Sequence, residues 1–291
     1  MQIFLEDFSI YHTFFVFLHR KSALRALSGL VMCTYQYTYN QHPKASRMEH
    51  KTRCIVLRTV KYGDKKLIID LLTREEGRAS VLWKMPASSK AKIKKQFFQP
   101  LTILDVDYDR SPRQSMAQLK DARIAYIYSA LPFDNNKLSL AFFLAEFLTM
   151  ATRDSHTDTM LYDFVEQALT WLDASERGIA NFHLTFMIRL SLFLGFHPDM
   201  DSYQPDYFFD LREGAFRPHA PLHSDFLTPE DAEKMQTLMR MSPSNLHLFR
   251  MSRTERNRIV DIILHFYRLH IPAFGEMKTL SVLRENHQTA R

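Results

Sequence analysis

The chain has 291 residues, 46% of them hydrophobic and 24% charged, which is enough for one large or two modest cores and unlike a disordered or fibrous chain. Cys33 and Cys54 are its only cysteines, so a disulfide framework and a paired-thiol zinc site are excluded, and a reducing compartment, the cytoplasm, is expected. The formal net charge of +6 is modest but uneven: residues 48–130 hold 17 basic and 9 acidic side chains, residues 131–200 hold 4 and 9, and residues 201–291 hold 12 of each.

Residues 1–47 differ from the rest of the chain. The apolar run from Tyr11 to Leu18 is interrupted by His19, Arg20, Lys21 and Arg25, well short of the roughly 20 apolar residues that a membrane helix needs. Glu6 and Asp7 stand where a secretory signal carries basic residues, and no small-residue cleavage site comes after them. We expect neither export nor a membrane span. Met48 opens a strand-forming sequence, so residues 1–47 are expected to be a translated leader, the alternative being a loosely packed native arm.

From Arg53 the sequence turns to short segments rich in β-branched and apolar residues, bounded by turn formers. Five strands are predicted, at about Cys54–Val60, Lys66–Thr73, Arg78–Trp83, Phe97–Tyr108 and Ser115–Ile127, with tight turns at Tyr62-Gly63-Asp64 and Glu75-Glu76-Gly77. Five such strands predict an OB-type barrel, whose third and fourth strands are joined by a long connection. Here that connection, Lys84 to Gln96, is the most basic stretch of the chain, and no acidic residue occurs from Gly77 to Leu104. A charge excess confined to one such segment marks a candidate polyanion-binding domain.

After Asp134 the period becomes helical, with Leu138, Phe142, Phe143 and Phe147 predicted to form an apolar stripe. Further helices are predicted at Met160–Trp171 and Ile179–Leu194, the second stopped by Gly195 and Pro198. Residues 202–227, rich in Pro, aromatics and turn formers, are expected to be an irregular insert. Thr228-Pro-Glu-Asp231 reads as a helix start with a capping hydroxyl. Ser252 and Glu255 form a capping box opening a last long helix that buries Ile259, Ile262, Ile263 and Phe266. The predicted class is α+β, with a barrel over 48–130 and a helical domain over 131–291.

The run from Ile55 to Arg78, IVLRTVKYGDKKLIIDLLTREEGR, resembles the opening of the RecO family of DNA repair proteins. The resemblance continues through Gln99-Pro-Leu101 and Leu192-Phe-Leu-Gly-Phe-His-Pro-Asp199 and covers about residues 50–285. It implies an N-terminal OB barrel, a C-terminal helical domain, binding of single- and double-stranded DNA, annealing of complementary strands, and cooperation with RecR in helping RecA displace single-strand-binding protein. It also implies docking of that protein's acidic tail on the helical domain, and a cytoplasmic, nucleoid-associated place of action. Many family members carry a four-cysteine zinc module after the position of Gly195. This chain has no cysteine there, and its His197, His219 and His223 are not accompanied by thiols, so no metal or other cofactor is expected.

Lys84, Lys90, Lys92, Lys94 and Lys95 are the expected phosphate-neutralising cluster, the plain alternative being a solvated loop. Arg53, Arg58, Lys61, Lys65, Lys66 and Arg74 add charge on the first two strands and their turn, and Tyr62 and Trp83 are candidate stacking surfaces for unstacked bases, the alternative being that either ring is core; Tyr62, in a turn, is expected to be exposed, and Trp83, at a strand end, fits either reading. Arg250, Arg253, Arg256 and Arg258 form a possible second basic patch at a helix start, where cations oppose the helix dipole and need compensation. Asp105, Asp107 and Asp109 share a strand face as nuclease carboxylates would, but alternation with Leu104, Val106 and Tyr108 is the ordinary pattern of a half-buried strand. The seven glycines are scattered, with no GxxxxGK[ST] run and no KxDG motif, so a binding and annealing protein rather than an enzyme is expected. The alternative is an RNA-binding OB protein with a helical protein-interaction domain.

Overall fold

The computed structural model describes residues 48–86, 88, 92–111, 116–153 and 158–286; the expected leader and Lys90 lie outside them. Five strands close a barrel in the order β1-β2-β3-β5-β4, made of β1 (Met48–Lys61), β2 (Lys66–Thr73), β3 (Gly77–Lys84), β4 (Ile103–Arg110) and β5 (Ala117–Ile124). All neighbours are antiparallel except β3 and β5, which run parallel with Leu82 opposite Gln118.

β1 does two jobs because it is long. Its first half pairs with β4 and its second half with β2, and the register slips between Val56 and Arg58. Such a bulge bends a strand and sharpens its twist, as closing a small barrel requires. Its first residues extend the predicted strand: Lys51 and Arg53 stand opposite Asp107 and Asp105, so cross-strand ion pairs carry a polar stretch that hydrophobicity does not reveal. The predicted fourth strand begins later than expected. Lys95–Phe98 is instead a 3-10 turn that drops Phe98 into the barrel, where it packs on Trp83 with ring centroids 4.9 Å apart.

Six helices come next: α1 (Asn135–Ala151), α2 (Thr159–Ala174), α3 (Ile179–Leu194), α4 (Pro229–Arg240), α5 (Arg253–His270) and α6 (Leu280–Asn286). The buried stripe of α1 is Leu140, Phe143, Leu144, Phe147 and Leu148; Phe142 faces outward, contrary to expectation. α3 matches its predicted bounds, because Gly195 takes a left-handed conformation at its end. Ser252 and Glu255 make the predicted capping box, and α5 buries Ile259, Ile263 and Phe266, with Ile262 partly covered. Thr228 precedes α4, but its hydroxyl makes no capping bond.

The expected irregular insert contains a small sheet, β6 (Phe208–Asp210), β7 (Ala215–Arg217) and β8 (Phe226–Leu227), in the order β7-β6-β8. Phe209 and Phe216 anchor it against Phe266 in the helical core. No helix among the described residues is long and apolar enough to cross a membrane.

Two cores result. Cys54, Val56, Ile69, Val81, Trp83, Leu104 and Tyr108 fill the barrel, whereas Ile55, Leu57, Leu72, Leu101 and Ile103 join the helical core. The barrel is therefore covered on one outer side by helices, which explains the unbroken apolar run of β1 at residues 54–57. Between the two, Asp173 at the end of α2 accepts hydrogen bonds from the backbone N–H groups of Ser129, Ala130 and Leu131 at 2.9, 2.9 and 2.7 Å. Ser129 Oγ and Tyr126 add two more, and buried Lys137 donates to the Asp173 carbonyl at 2.7 Å. Burial alone would raise the Asp173 carboxyl, but this set of donors holds it below the usual carboxylate range.

Candidate nucleic-acid interface

The β1–β2 hairpin and the end of β3 meet at one rim of the barrel. Gly63, at φ 65°, makes the tight turn, and the Lys65 carbonyl accepts from the Met85 N–H at 2.8 Å, tying the hairpin to the chain leaving β3. Lys66 lies opposite Lys84 in register. The 3-10 turn that places Phe98 on Trp83 also carries exposed Lys95, with exposed Lys94 just before it, and is tied to β1 by the Thr59 hydroxyl donating to the Phe98 carbonyl at 2.8 Å.

Lys61, Lys65, Lys66, Lys84, Lys94 and Lys95 are all exposed and have no ion-pair partner among the described residues. Asp64 is the one carboxylate between Lys61 and Lys66. Tyr62 stands among the lysines with 57% of its surface exposed. Like ammonium groups crowded at one rim repel each other, an arrangement that an approaching polyanion relieves. Long, mobile ammonium groups around an exposed aromatic ring suit phosphates on the outside and a base face at the centre.

The other sequence candidates are placed elsewhere. Trp83 is only 5% exposed and forms the floor of the barrel core, so its ring offers no stacking surface; the alternation of β3 turns it inward. Arg58 is spent on Asp70, with both guanidinium contacts within 3.1 Å. Arg53 bridges Asp105 at 3.0 Å and Glu166 of α2 at 3.4 Å, and Arg74 grips both carboxylate oxygens of Asp163 at 2.7 and 3.0 Å. Arg78 joins them by donating to the Thr149 carbonyl and the Thr152 hydroxyl. Arg53, Arg74 and Arg78 form a seam between barrel and helices, whereas Arg58 pairs within the barrel.

The second basic patch is also largely used internally. Arg253 donates to the Arg284 carbonyl, Arg256 to the Met251 carbonyl at 2.6 Å, and Arg258 pairs with Asp231, which leaves Arg250 as the member without such a partner among the described residues. The compensation that cations at a helix start require is thus supplied from within.

The aspartates of β4 are similarly engaged. Asp105 pairs with Arg53, Asp107 with Lys51 and Asp109 with Lys120, as expected of a polar strand face. Of the histidines after α3, His197 is tied to the Ile188 carbonyl at 3.2 Å and burial pushes its imidazole down to about 4, His223 faces Asp210 at 3.3 Å, and His219 is exposed. With no thiol in the segment and the histidines turned to separate partners, these residues do not fit a thiolate zinc module.

Sequence reasoning missed Asp121 and Arg123, which engage the predicted Lys92. From the β3–β4 connection, Lys92 donates to Asp121 Oδ2 of β5 at 3.1 Å, and Arg123 donates to the same oxygen through Nε and Nη2 at 3.2 and 3.1 Å. Burial would raise the Asp121 carboxyl, but the Lys92 and Arg123 hydrogen bonds outweigh it and hold the group below its ordinary range. No local pattern marks a contact between residues 29 apart in the chain.

Comparison with known proteins agrees with this architecture. The family described as "Recombination protein O N terminal" matches residues 48–128, and "Recombination protein O C terminal" matches residues 132–279. Among similar proteins, "DNA repair protein RecO" of Phocaeicola vulgatus is 43% identical over 238 residues, covering 82% of this chain and 99% of its own length. The protein of the same name from Bacteroides fragilis is 40% identical over 239 residues, and that from Flavobacterium psychrophilum 30%, each again covering 82% of this chain and 99% of its own. The two matches meet at the segment clamped by Asp173 and together span both cores. The chain belongs to the RecO family of DNA repair proteins.

Proposed function

We propose that this chain is a recombination mediator that binds single- and double-stranded DNA on the lysine rim, anneals complementary strands without ATP and, with RecR, helps load RecA on DNA coated with single-strand-binding protein. The observation that carries the proposal is the set of exposed lysines at the barrel end that bears exposed Tyr62, where Lys61, Lys65 and Lys66 flank the turn and Lys84 stands opposite Lys66, with Asp64 as the one carboxylate between Lys61 and Lys66. Annealing brings two polyanions together. Ammonium groups on flexible stems neutralise phosphates of either strand without fixing a sequence and leave the base edges free to pair. Tyr62 supplies a face on which one unstacked base rests before pairing. No step requires a bond to be made or broken by the protein, so it acts as an adaptor in the cytoplasm, at the nucleoid, rather than as an enzyme. The acidic tail of single-strand-binding protein is taken as a ligand of the helical domain.

The test is annealing of complementary single strands coated with single-strand-binding protein, without ATP, comparing the intact protein with a variant carrying Lys65→Ala, Lys66→Ala, Lys84→Ala and Lys94→Ala. The variant is expected to lose annealing, and its salt slope for single strands to flatten by about 3, since each phosphate contact contributes roughly 0.7. Annealing that survives the four changes would move the DNA face elsewhere. Tight RNA binding without annealing would instead support the RNA-binding alternative.

A further inference from the structure

The polyanion path does not stop at the rim. β5 runs parallel to β3, so beyond Gln118 it continues toward the end from which the basic connection leaves Lys84. There Lys92 and Arg123 converge on one oxygen of Asp121, three N–H donors lying at 3.1 to 3.2 Å from it. Both cations are 69% exposed and the carboxylate 22%, so the cations are open to an incoming ligand while the carboxylate lies beneath them. A single anionic oxygen receiving an ammonium and a guanidinium fork is the arrangement in which these side chains take a phosphodiester oxygen.

The surroundings explain why a carboxylate holds them. Asp121 stands opposite Asp107 on β4, and Arg123 stands opposite Asp105. Asp107 has Lys51 at 4.0 Å and Asp105 has Arg53 at 3.0 Å. Two carboxylates directly across a strand pair repel, and Lys92, arriving from the connection, offsets that repulsion and pins the connection to β5.

We infer that Lys92 and Arg123 form a further phosphate-binding position for a nucleic-acid strand, and that Asp121 is its resident competitor, released when a backbone phosphate takes the two cations. The inference rests on the lysine rim being the DNA face. A contact made against an internal rival adds less affinity than two unpaired cations would, which keeps the strand exchangeable, as annealing requires. Arg123 thereby joins the interface, and Asp121 sets how tightly the interface holds.

Equilibrium binding of a labelled oligothymidylate across a range of salt concentrations tests this, with thermal melting to confirm the fold. Asp121→Asn is expected to bind several-fold more tightly at low salt, with a slope steeper by about 0.7 for a gained phosphate contact. Adding Lys92→Ala to that variant returns the slope toward the wild-type value. Asp121→Ser serves as a second neutral replacement should the first not fold. Unchanged affinity and slope in a folded Asp121 variant overturn the inference while leaving the rim in place, as does weaker binding, which would make the carboxylate a support that positions the connection. A wild-type protein that binds no DNA overturns the proposed function itself.

Discussion

The rim and the seam draw on the same basic segment of sequence and use it in opposite ways. The rim consists of lysines without ion-pair partners among the described residues, around an exposed tyrosine. The seam consists of arginines, Arg53, Arg74 and Arg78, each turned to carboxylates or carbonyls, and all three reach groups of the helical body. Arginine presents a planar fork suited to fixed carboxylate partners, whereas lysine is a strongly hydrated point charge on a mobile stem. Net charge by segment thus marks a candidate binding domain, but residue type and register decide which of its cations are left exposed without ion-pair partners among the described residues and which hold the protein together.

Three substitutions put the contrast between rim and seam at risk. The largest effect is expected at Trp83, the floor beneath the rim: Trp83→Ala should cost roughly 3 to 5 kcal/mol of stability, as large aromatic truncations in cores do. Chemical denaturation checks this, and a stable Trp83→Ala protein with impaired DNA binding would return the ring to the interface. Tyr62→Ala comes next. It should leave the denaturation midpoint unchanged and weaken single-strand binding by about 1 to 3 kcal/mol, the range for one base-stacking ring; loss of stability instead would show Tyr62 to be structural. Smallest is Arg74→Ala, which removes an exposed ion pair of the seam. A slight fall in melting temperature with unaltered oligonucleotide affinity is expected, because exposed pairs contribute little. A large loss of affinity there would erase the distinction between seam and rim.

How much was legible in the sequence depends on how local each signal is. β2 and α3 were readable end to end because Gly63, Gly77 and Gly195 punctuate them and their apolar periods are uninterrupted. The beginning of β4 was misplaced because Phe97 and Phe98 look like strand residues, although Phe98 is buried by a 3-10 turn. The first residues of β1 were missed because their support is cross-strand pairing with Asp105 and Asp107. Among the candidate site residues, the exposure of Tyr62 and Lys65 was readable because turn chemistry puts them beside Gly63 in the tight turn. Trp83 lies within β3, where its phase in the strand turns it inward, whereas Tyr62 lies in the turn after β1, and the engagement of Arg53, Arg74, Arg253 and Arg258 depends on partners far along the chain. Asp173 carries no signal at all: nothing in its neighbourhood indicates that three successive N–H groups more than 40 residues earlier converge on it.

The two-sidedness of β1 reaches into how such a protein can change over evolutionary time. Val56 belongs to the barrel and its neighbours Ile55 and Leu57 to the helices, so adjacent codons answer to different cores. A larger side chain at Leu57 must be accommodated by the helical body, and one at Val56 within the barrel. The barrel is consequently not a cassette that lineages can trade freely: transplanted onto a foreign helical body, it would carry an apolar face shaped for the original one. β1 is joined in this by Leu72 of β2 and Ile103 of β4, which also pack into the helical core.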